Sequence, residues 1–292
     1  MTNGYLDRLA ARSAAVGSVL CLGLDPDPAA LPDGFSADLA GIEAFAALIV
    51  DAAGPYAAAI KPNLAFFESF GSGGMAALER IRARVPSDVP FIADAKRGDV
   101  GPTAVRQATA LFDHLWADAA TLSPYLGSEA IAPFLAREGR FVYVLCRTSN
   151  PGAGELQDLA VAADDVLGAP PETLYLRVAR RVATWGPAEA VGLVVGATAP
   201  GQLRAIRAVA ARLAFLVPGV GAQGGDVSAV LADGPASGSP TADRVGRGLL
   251  VNVSRGIAGA AVGPPVAGRP VDPGERLAAA ALEWAQRLPV LP

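Results

Sequence analysis

Eight short apolar runs, separated by longer amphipathic stretches, constrain the fold of this chain more than any other feature. They read SVLCLGLD (18–25), AAAIKPN (57–63), PFIADAK (90–96), AATLSP (119–124), FVYVLCRTS (141–149), AVGLVVGAT (190–198), AFLVPGVG (214–221) and GLLVNVSRG (248–256). Each is too short for a stable helix and apolar on both parities, the pattern of a strand covered on both faces. Helical periodicity fills the intervals at 36–53, 72–85, 102–116, 128–138, 171–185, 200–213 and 226–233, with a last segment at 273–287. Start signals include Ser128 or Gly127 ahead of Glu129, Pro171 ahead of Glu172, and Thr198 ahead of Pro200.

Strands of this kind alternating with helices predict a parallel sheet, and eight such units predict a (β/α)8 TIM barrel. An open doubly wound sheet would carry fewer strands and a glycine-rich first turn, which GLDPDP is not. The surplus length is expected as an N-terminal helix near 4–14 and extended loops after strands five (150–170) and seven (233–247). The segment GPPVAGRPVDPG (263–274) reads as a tether to the last helix. With no internal repeat beyond the βα alternation, residues 1–292 are expected to form a single domain.

Composition narrows the function classes. A net charge of −4 argues against a surface for nucleic acid or anionic membrane. No apolar run approaches the ~18 residues of a membrane span. AAVGSVLCLGL (14–24) follows a mixed-charge segment holding Asp7 and runs straight into Asp25-Pro26, so it reads as a buried strand rather than a signal sequence. The expectation is a soluble cytoplasmic protein, with Cys21 and Cys146 as buried free thiols.

Of the 24 basic residues, 22 are arginine; the two lysines are Lys61 and Lys96. Where any cation would serve, this chain uses arginine, so the two lysines mark places that need a compact charge able to give up a proton. Both end apolar strands, and in a (β/α)8 barrel reactive residues sit at those ends. The other polar strand ends are Asp25, Asp94, Ser123, Thr148 with Ser149, Thr198, Gln223 and Arg255. Asp94 and Lys96 are two apart, which on a regular strand places them on one face. Lys61 would lie beside them, and Asp99, beyond Gly98, could reach away from its own barrel. The product is an alternating chain of two ammoniums and two carboxylates. The competing reading is a solvated ion-pair cluster on a loop.

A second constellation suits phosphate. VPGVGAQGGD (217–226) and VNVSRGI (251–257) bring glycine-rich backbone and the Arg255 fork to the loops after strands seven and eight. The single histidine, His114, lies mid-helix and reads as structural. There is no zinc-ligand spacing, dinucleotide fingerprint or P-loop.

These residues resemble a known family. DAKRGD with the downstream GPTA, together with GLDPDP, IKPN, TSNPGA and PGVGAQGGD, resembles the orotidine 5′-phosphate decarboxylases, in the bacterial type-2 branch, over residues 23–256. The resemblance implies a homodimer of (β/α)8 barrels that converts orotidine 5′-phosphate to UMP and CO2 in pyrimidine biosynthesis, without metal or cofactor. By motif, Lys96 would protonate C6 of the pyrimidine. Asp94 would face the substrate carboxylate, held by Lys61 and Lys96. Asp99 and Thr103 would act across the dimer interface. Asp25 and Lys61 would bind ribose hydroxyls, and Ser149 the pyrimidine amide and Gln223. Arg255, Gln223 and nearby backbone would take the phosphate, with Pro218 against the base and Ser254 also among the substrate-binding residues. Two rivals stand beside this: a metal-dependent sugar-phosphate decarboxylase or aldolase on the same scaffold, which would carry a carboxylate where Lys61 stands, and a non-catalytic barrel that binds nucleotide phosphate.

Overall fold

The computed structural model describes residues 4–166, 168–221, 223–262 and 272–291. All eight apolar runs form strands: β1 Leu20–Leu24, β2 Ala59–Pro62, β3 Ile92–Arg97, β4 Ala119–Leu122, β5 Phe141–Arg147, β6 Val191–Val195, β7 Ala214–Pro218 and β8 Leu249–Val253. They pair in parallel in the order β2-β1-β8-β7-β6-β5-β4-β3. Parallel bridges Ile60↔Phe91 and Asn63↔Asp94 join β2 to β3, so the sheet closes into a barrel with helices around it.

Burial on both parities has a direct structural reading. One set of alternate residues, including Cys21, Ala59, Ile92, Ala119, Phe141, Tyr143, Leu216 and Leu250, packs inside the barrel. The other set, including Leu20, Leu22, Val142, Val144 and Leu193, packs outward against the helices. The helix Tyr5–Val16 closes the N-terminal end of the barrel with Tyr5, Leu6 and Leu9. Tyr5 stacks on Phe141 with centroids 4.8 Å apart, and its hydroxyl lies 3.1 Å from that of Tyr143. Arg8 to Asp118 at 2.6 Å and Arg244 to Asp7 at 2.7 Å fix this helix to the strands and to the long segment after β7. That segment, 234–248, is further held by Arg207, a buried guanidinium that donates to the carbonyls of Ala210, Leu213 and Gly234.

Local boundaries differ from expectation in three places. The helix expected from Pro171 begins at Leu174, with Thr173 in the N-cap position but making no side-chain capping bond, because Glu172–Thr173 pairs with Ala160–Val161 in a small antiparallel ladder. Ala199 rather than Thr198 precedes the helix Pro200–Val209, and the Thr198 hydroxyl turns to the Ser149 carbonyl at 3.4 Å. The helix expected at 102–116 is α-helical over Gly101–Ala108 and π-helical over Thr109–His114. Both cysteines are buried and free. The expected tether at 263–274 lies mostly outside the described residues.

The sequence reading finds no run long enough to span a membrane, yet Leu39–Tyr56 forms an 18-residue helical window of mean hydropathy 1.3. Its large apolar side chains Ile42, Phe45, Ile49 and Val50 are buried in the core between the strands and neighbouring helices, which accounts for the hydropathy.

Replacing Tyr5 by alanine empties part of the barrel floor. We expect a loss of about 3–5 kcal/mol, read as a lower urea midpoint; an unchanged midpoint would show that the N-terminal helix does not seal the barrel.

Candidate active site

At the C-terminal end of the strands lies a cavity of about 540 Å³, a size suited to a small-molecule ligand. Its charged side is built by β1 to β4. Lys61 and Asp94 end up adjacent because β2 and β3 meet at the closing bridges, and the Lys61 ammonium donates to Asp94 Oδ2 at 2.6 Å. Lys96 donates to Asp94 Oδ1, also at 2.6 Å. Lys61 and Asp94 are deeply placed, with side chains 5% and 12% exposed, whereas Lys96 is 50% exposed at the mouth.

The route by which Lys96 reaches Asp94 differs from the simple pleat expected. The β3–β4 register shifts between Ala93 and Arg97, and Lys96 has a left-handed backbone with φ 47°. For a lysine this conformation is strained by about 1–3 kcal/mol and persists only where its surroundings enforce it. Thr121 supplies the constraint. Its Oγ1 accepts the backbone N–H groups of Ala95 and Lys96, each at 3.0 Å, and donates to Asp94 Oδ1 at 2.9 Å. Thr121 is not among the strand ends named from the sequence, although it shares the inward parity of Ser123, which is; the register Ala93↔Ala120, visible only in the fold, puts it level with Asp94.

Burial by itself would push the Asp94 carboxyl up, but the charges of Lys61 and Lys96 outweigh it and hold the group well below the usual carboxylate range. Burial would likewise push the Lys61 ammonium down; Asp94 and Asp25 reverse that and raise it above the ordinary lysine value. Cys21, just beneath, is pushed up to about 12 by burial and stays a neutral thiol. The site therefore holds an ionised Lys61–Asp94 pair, with Lys96 donating to the same carboxylate, in surroundings where interactions between charges are stronger than in water.

Asp25, Asn252 and Ser254 also line the cavity. Asp25 Oδ1, Asn252 Oδ1 and Ser254 Oγ are buried with no hydrogen-bond partner among the described residues, as expected of polar atoms reserved for a ligand. Asn252 was not anticipated; it follows the inward parity of Leu250 and sits level with Cys21 and Pro218 on the adjoining strands.

The other side of the cavity comes from β5 to β8 and their loops. Ser149 Oγ donates to Gln223 Oε1 at 3.0 Å, joining the loops after β5 and β7. Gly219 permits this: its φ is 103°, and a Cβ there would sit 2.9 Å from Gln223 Oε1. Pro218, Arg255 and backbone at Gly219, Gly221 and Gly256 complete this wall, with Leu145, Val194 and Leu216 forming an apolar floor. Thr148 also lines the cavity, as do Gln157 and Asn150 from the loop after β5, neither of which sequence reasoning selected.

Thus Lys61, Asp94, Lys96, Asp25, Ser149, Pro218, Gln223, Ser254 and Arg255 come together around one cavity. Asp99 and Thr103 are not among its lining residues. Asp99 Oδ1 accepts the N–H of Val100 at 2.8 Å, and Thr103 is exposed. Ser123 and Thr198 also lie off the cavity lining.

Known proteins share this architecture. Residues 18–270 match the family model described as Orotidine 5'-phosphate decarboxylase / HUMPS family. An orotidine 5′-phosphate decarboxylase of Roseiflexus castenholzii is 48% identical over 241 residues, covering 82% of this chain and 83% of the relative. One from Herpetosiphon aurantiacus is 42% identical over 254 residues, with 87% and 88% covered. Among solved structures, Leishmania donovani OMP decarboxylase is 39% identical with a TM-score of 0.77, covering 97% of this chain and 96% of that one. A crystal structure from Toxoplasma gondii is 36% identical with a TM-score of 0.82, covering 97% and 94%.

The depressed Asp94 predicts a pH dependence of stability. An ionised carboxylate with a lowered folded value stabilises the fold fully above its unfolded value of about 4, and that contribution fades as pH falls toward the folded value. Asp94→Asn should therefore be less stable than the parent at about pH 6, and the gap in urea midpoint should narrow by about pH 3. Parallel pH profiles for the two proteins would contradict the ion triad.

Proposed function

The chain belongs to the orotidine 5′-phosphate decarboxylase family, and from that premise we propose how its residues divide the work. It is a carboxy-lyase that converts orotidine 5′-phosphate to UMP and CO2, the last step of de novo UMP synthesis. Neither rival reading is supported by the relatives it matches. The observation that carries the assignment of roles is the Asp94 carboxylate held at 2.6 Å by both lysines.

The reaction breaks the bond between C6 and its carboxyl carbon, leaving the electron pair on C6 in an orbital that the ring π-system does not delocalise. Stabilising that localised charge is the main task. In our reading the phosphate is held by Arg255, Gln223, Ser254 and adjacent backbone, and the ribose by Asp25 and Lys61. Ser149 takes the pyrimidine amide and Pro218 the base face. The substrate carboxylate then lies toward Asp94 and Lys96. A fixed ammonium at Lys96 stabilises the developing carbanion electrostatically and transfers its proton to C6 as CO2 leaves. Lys61 keeps Asp94 ionised, and Asp94 in turn aims Lys96. Binding of the remote phosphate and closure over the Ser149–Gln223 contact supply binding energy to the chemical step.

We propose that this needs no metal or cofactor. A hard cation in this place calls for several carboxylates, and Lys61 occupies the position where one would be required. Among the described residues there is no group of three or more His, Cys, Asp and Glu that could hold a metal. We also propose a single-domain, cytoplasmic homodimer in which Asp99 and Thr103 complete the partner's site. Both lie outside their own cavity, flanked by Val100 and Val105, apolar side chains that are 48% and 42% exposed.

Lys96→Ala should lower kcat by roughly 10³-fold or more while affinity for UMP stays within about tenfold. Retained turnover would remove Lys96 from the mechanism. Activity, followed by loss of absorbance on mixing with orotidine 5′-phosphate, should survive EDTA. On dilution it should fall in step with dissociation measured by light scattering; a fully active monomer would refute action across the interface.

A further inference from the structure

Apart from Ser149, the described residues between β5 and the helix Leu174–Val182 have no role in the scheme above, yet ion pairs tie them down on both sides. Its far half is fastened to that helix. Glu172 accepts from Arg177 and Arg180, each at 2.9 Å, and Asp164 pairs with Arg177 and Arg181, the two carboxylates being only 5% and 10% exposed. Its near half returns to the end of β5. Arg147 forks onto Asp158 at 3.0 and 3.2 Å. Next to that fork, the Thr148 N–H donates to Gln157 Oε1 at 2.9 Å, and Gln157 Nε2 donates to Thr148 Oγ1 at 2.9 Å.

Chemistry fixes the orientation of this amide: a main-chain N–H can only donate, so the oxygen of Gln157 must face it and the nitrogen must face the hydroxyl. Thr148 Oγ1 then gives its own proton to Asn150 Oδ1 at 2.6 Å. The residue enclosed by these contacts is Ser149. From the opposite side its backbone rests on Gly196, where a Cβ would lie 2.7 Å from Ser149 N. The Ser149 hydroxyl is thus aimed by a backbone clamped between Gly196, just past β6, and the Gln157 amide.

We propose that Gln157 is a positioning residue for the decarboxylation: it fixes the backbone of 148–150 so that the Ser149 hydroxyl reaches the pyrimidine amide and Gln223 together. This rests on the role of Ser149 given above. Hydrogen-bond geometry at a binding group transmits directly to substrate orientation, so the loss should appear chiefly in KM.

The test is a cycle of four proteins: the parent, Gln157→Leu, Ser149→Ala and the double variant, with kcat and KM measured for orotidine 5′-phosphate. Gln157→Leu is expected to lower kcat/KM roughly tenfold, mostly through KM, and Ser149→Ala by at least as much. The double variant should be no worse than Ser149→Ala alone, within about twofold, because the two substitutions remove one interaction. If Gln157→Leu loses as much without Ser149 as with it, Gln157 acts by direct contact or through the fold, and the proposal fails while the Ser149 role stands. If Ser149→Ala equals the parent, the Ser149 role fails and takes the proposal with it. Should Gln157→Leu not fold, Gln157→Met, of similar length without polar atoms, enters the same cycle.

Discussion

A carboxylate gripped by two ammonium groups in a half-buried cleft is the interaction on which the rest of this structure depends. Removing such charges from water is costly, and the cluster is a poor source of stability compared with apolar packing. It persists because every member is satisfied: Asp94 accepts from Lys61, Lys96 and Thr121, and Thr121 in turn holds the kinked backbone of Lys96. The barrel makes this possible by bringing β2, β3 and β4 edge to edge, so that residues far apart in the chain share one low-dielectric mouth. Lysine rather than arginine fits both positions. One is a compact charge deep beside Asp94, and the other, in the proposed reaction, releases a proton.

The cavity is divided by function along the order of the strands. Fixed charge gathers on β1 to β4, where the reacting carbon is proposed to lie. Backbone N–H groups, Arg255 and the Ser149–Gln223 contact gather on β5 to β8, where the phosphate and base edge are proposed to lie. The apolar floor of Leu145, Val194 and Leu216 lies between. In the proposed pose a substrate spans both sides, so binding energy remote from the chemistry can lower its barrier. The loop after β5 fits this division: its half-buried arginine–carboxylate pairs tie it to the helix Leu174–Val182 and to the end of β5 on the binding side.

The opposite end of the barrel is devoted to stability. Tyr5, Phe141 and Tyr143 fill the floor, and Arg8, Arg82 and Arg140 converge on the buried Asp118, which also accepts the Phe91 N–H. Separating the two ends allows the mouth to keep polar atoms on Asp25, Asn252 and Ser254 that have no partner among the described residues, without leaving the fold unsealed.

The amino-acid sequence by itself determined the eight strands, the barrel and the residue types at the strand ends, because apolar period, element length and the rarity of lysine are local properties that burial and chemistry act on directly. It also marked Asp94, Lys61, Lys96, Ser149, Gln223 and Arg255 as partners. Only the tertiary structure decided how they meet. Lys96 reaches Asp94 through a register shift and a left-handed backbone, not through the pleat. Thr121, Asn252 and Gln157 enter the cavity because of strand register and a returning loop, and the helix after β5 starts late because its first residues are taken into a small ladder. These outcomes depend on contacts between distant segments, whose spacing is set by closure of the sheet and appears in no window of sequence.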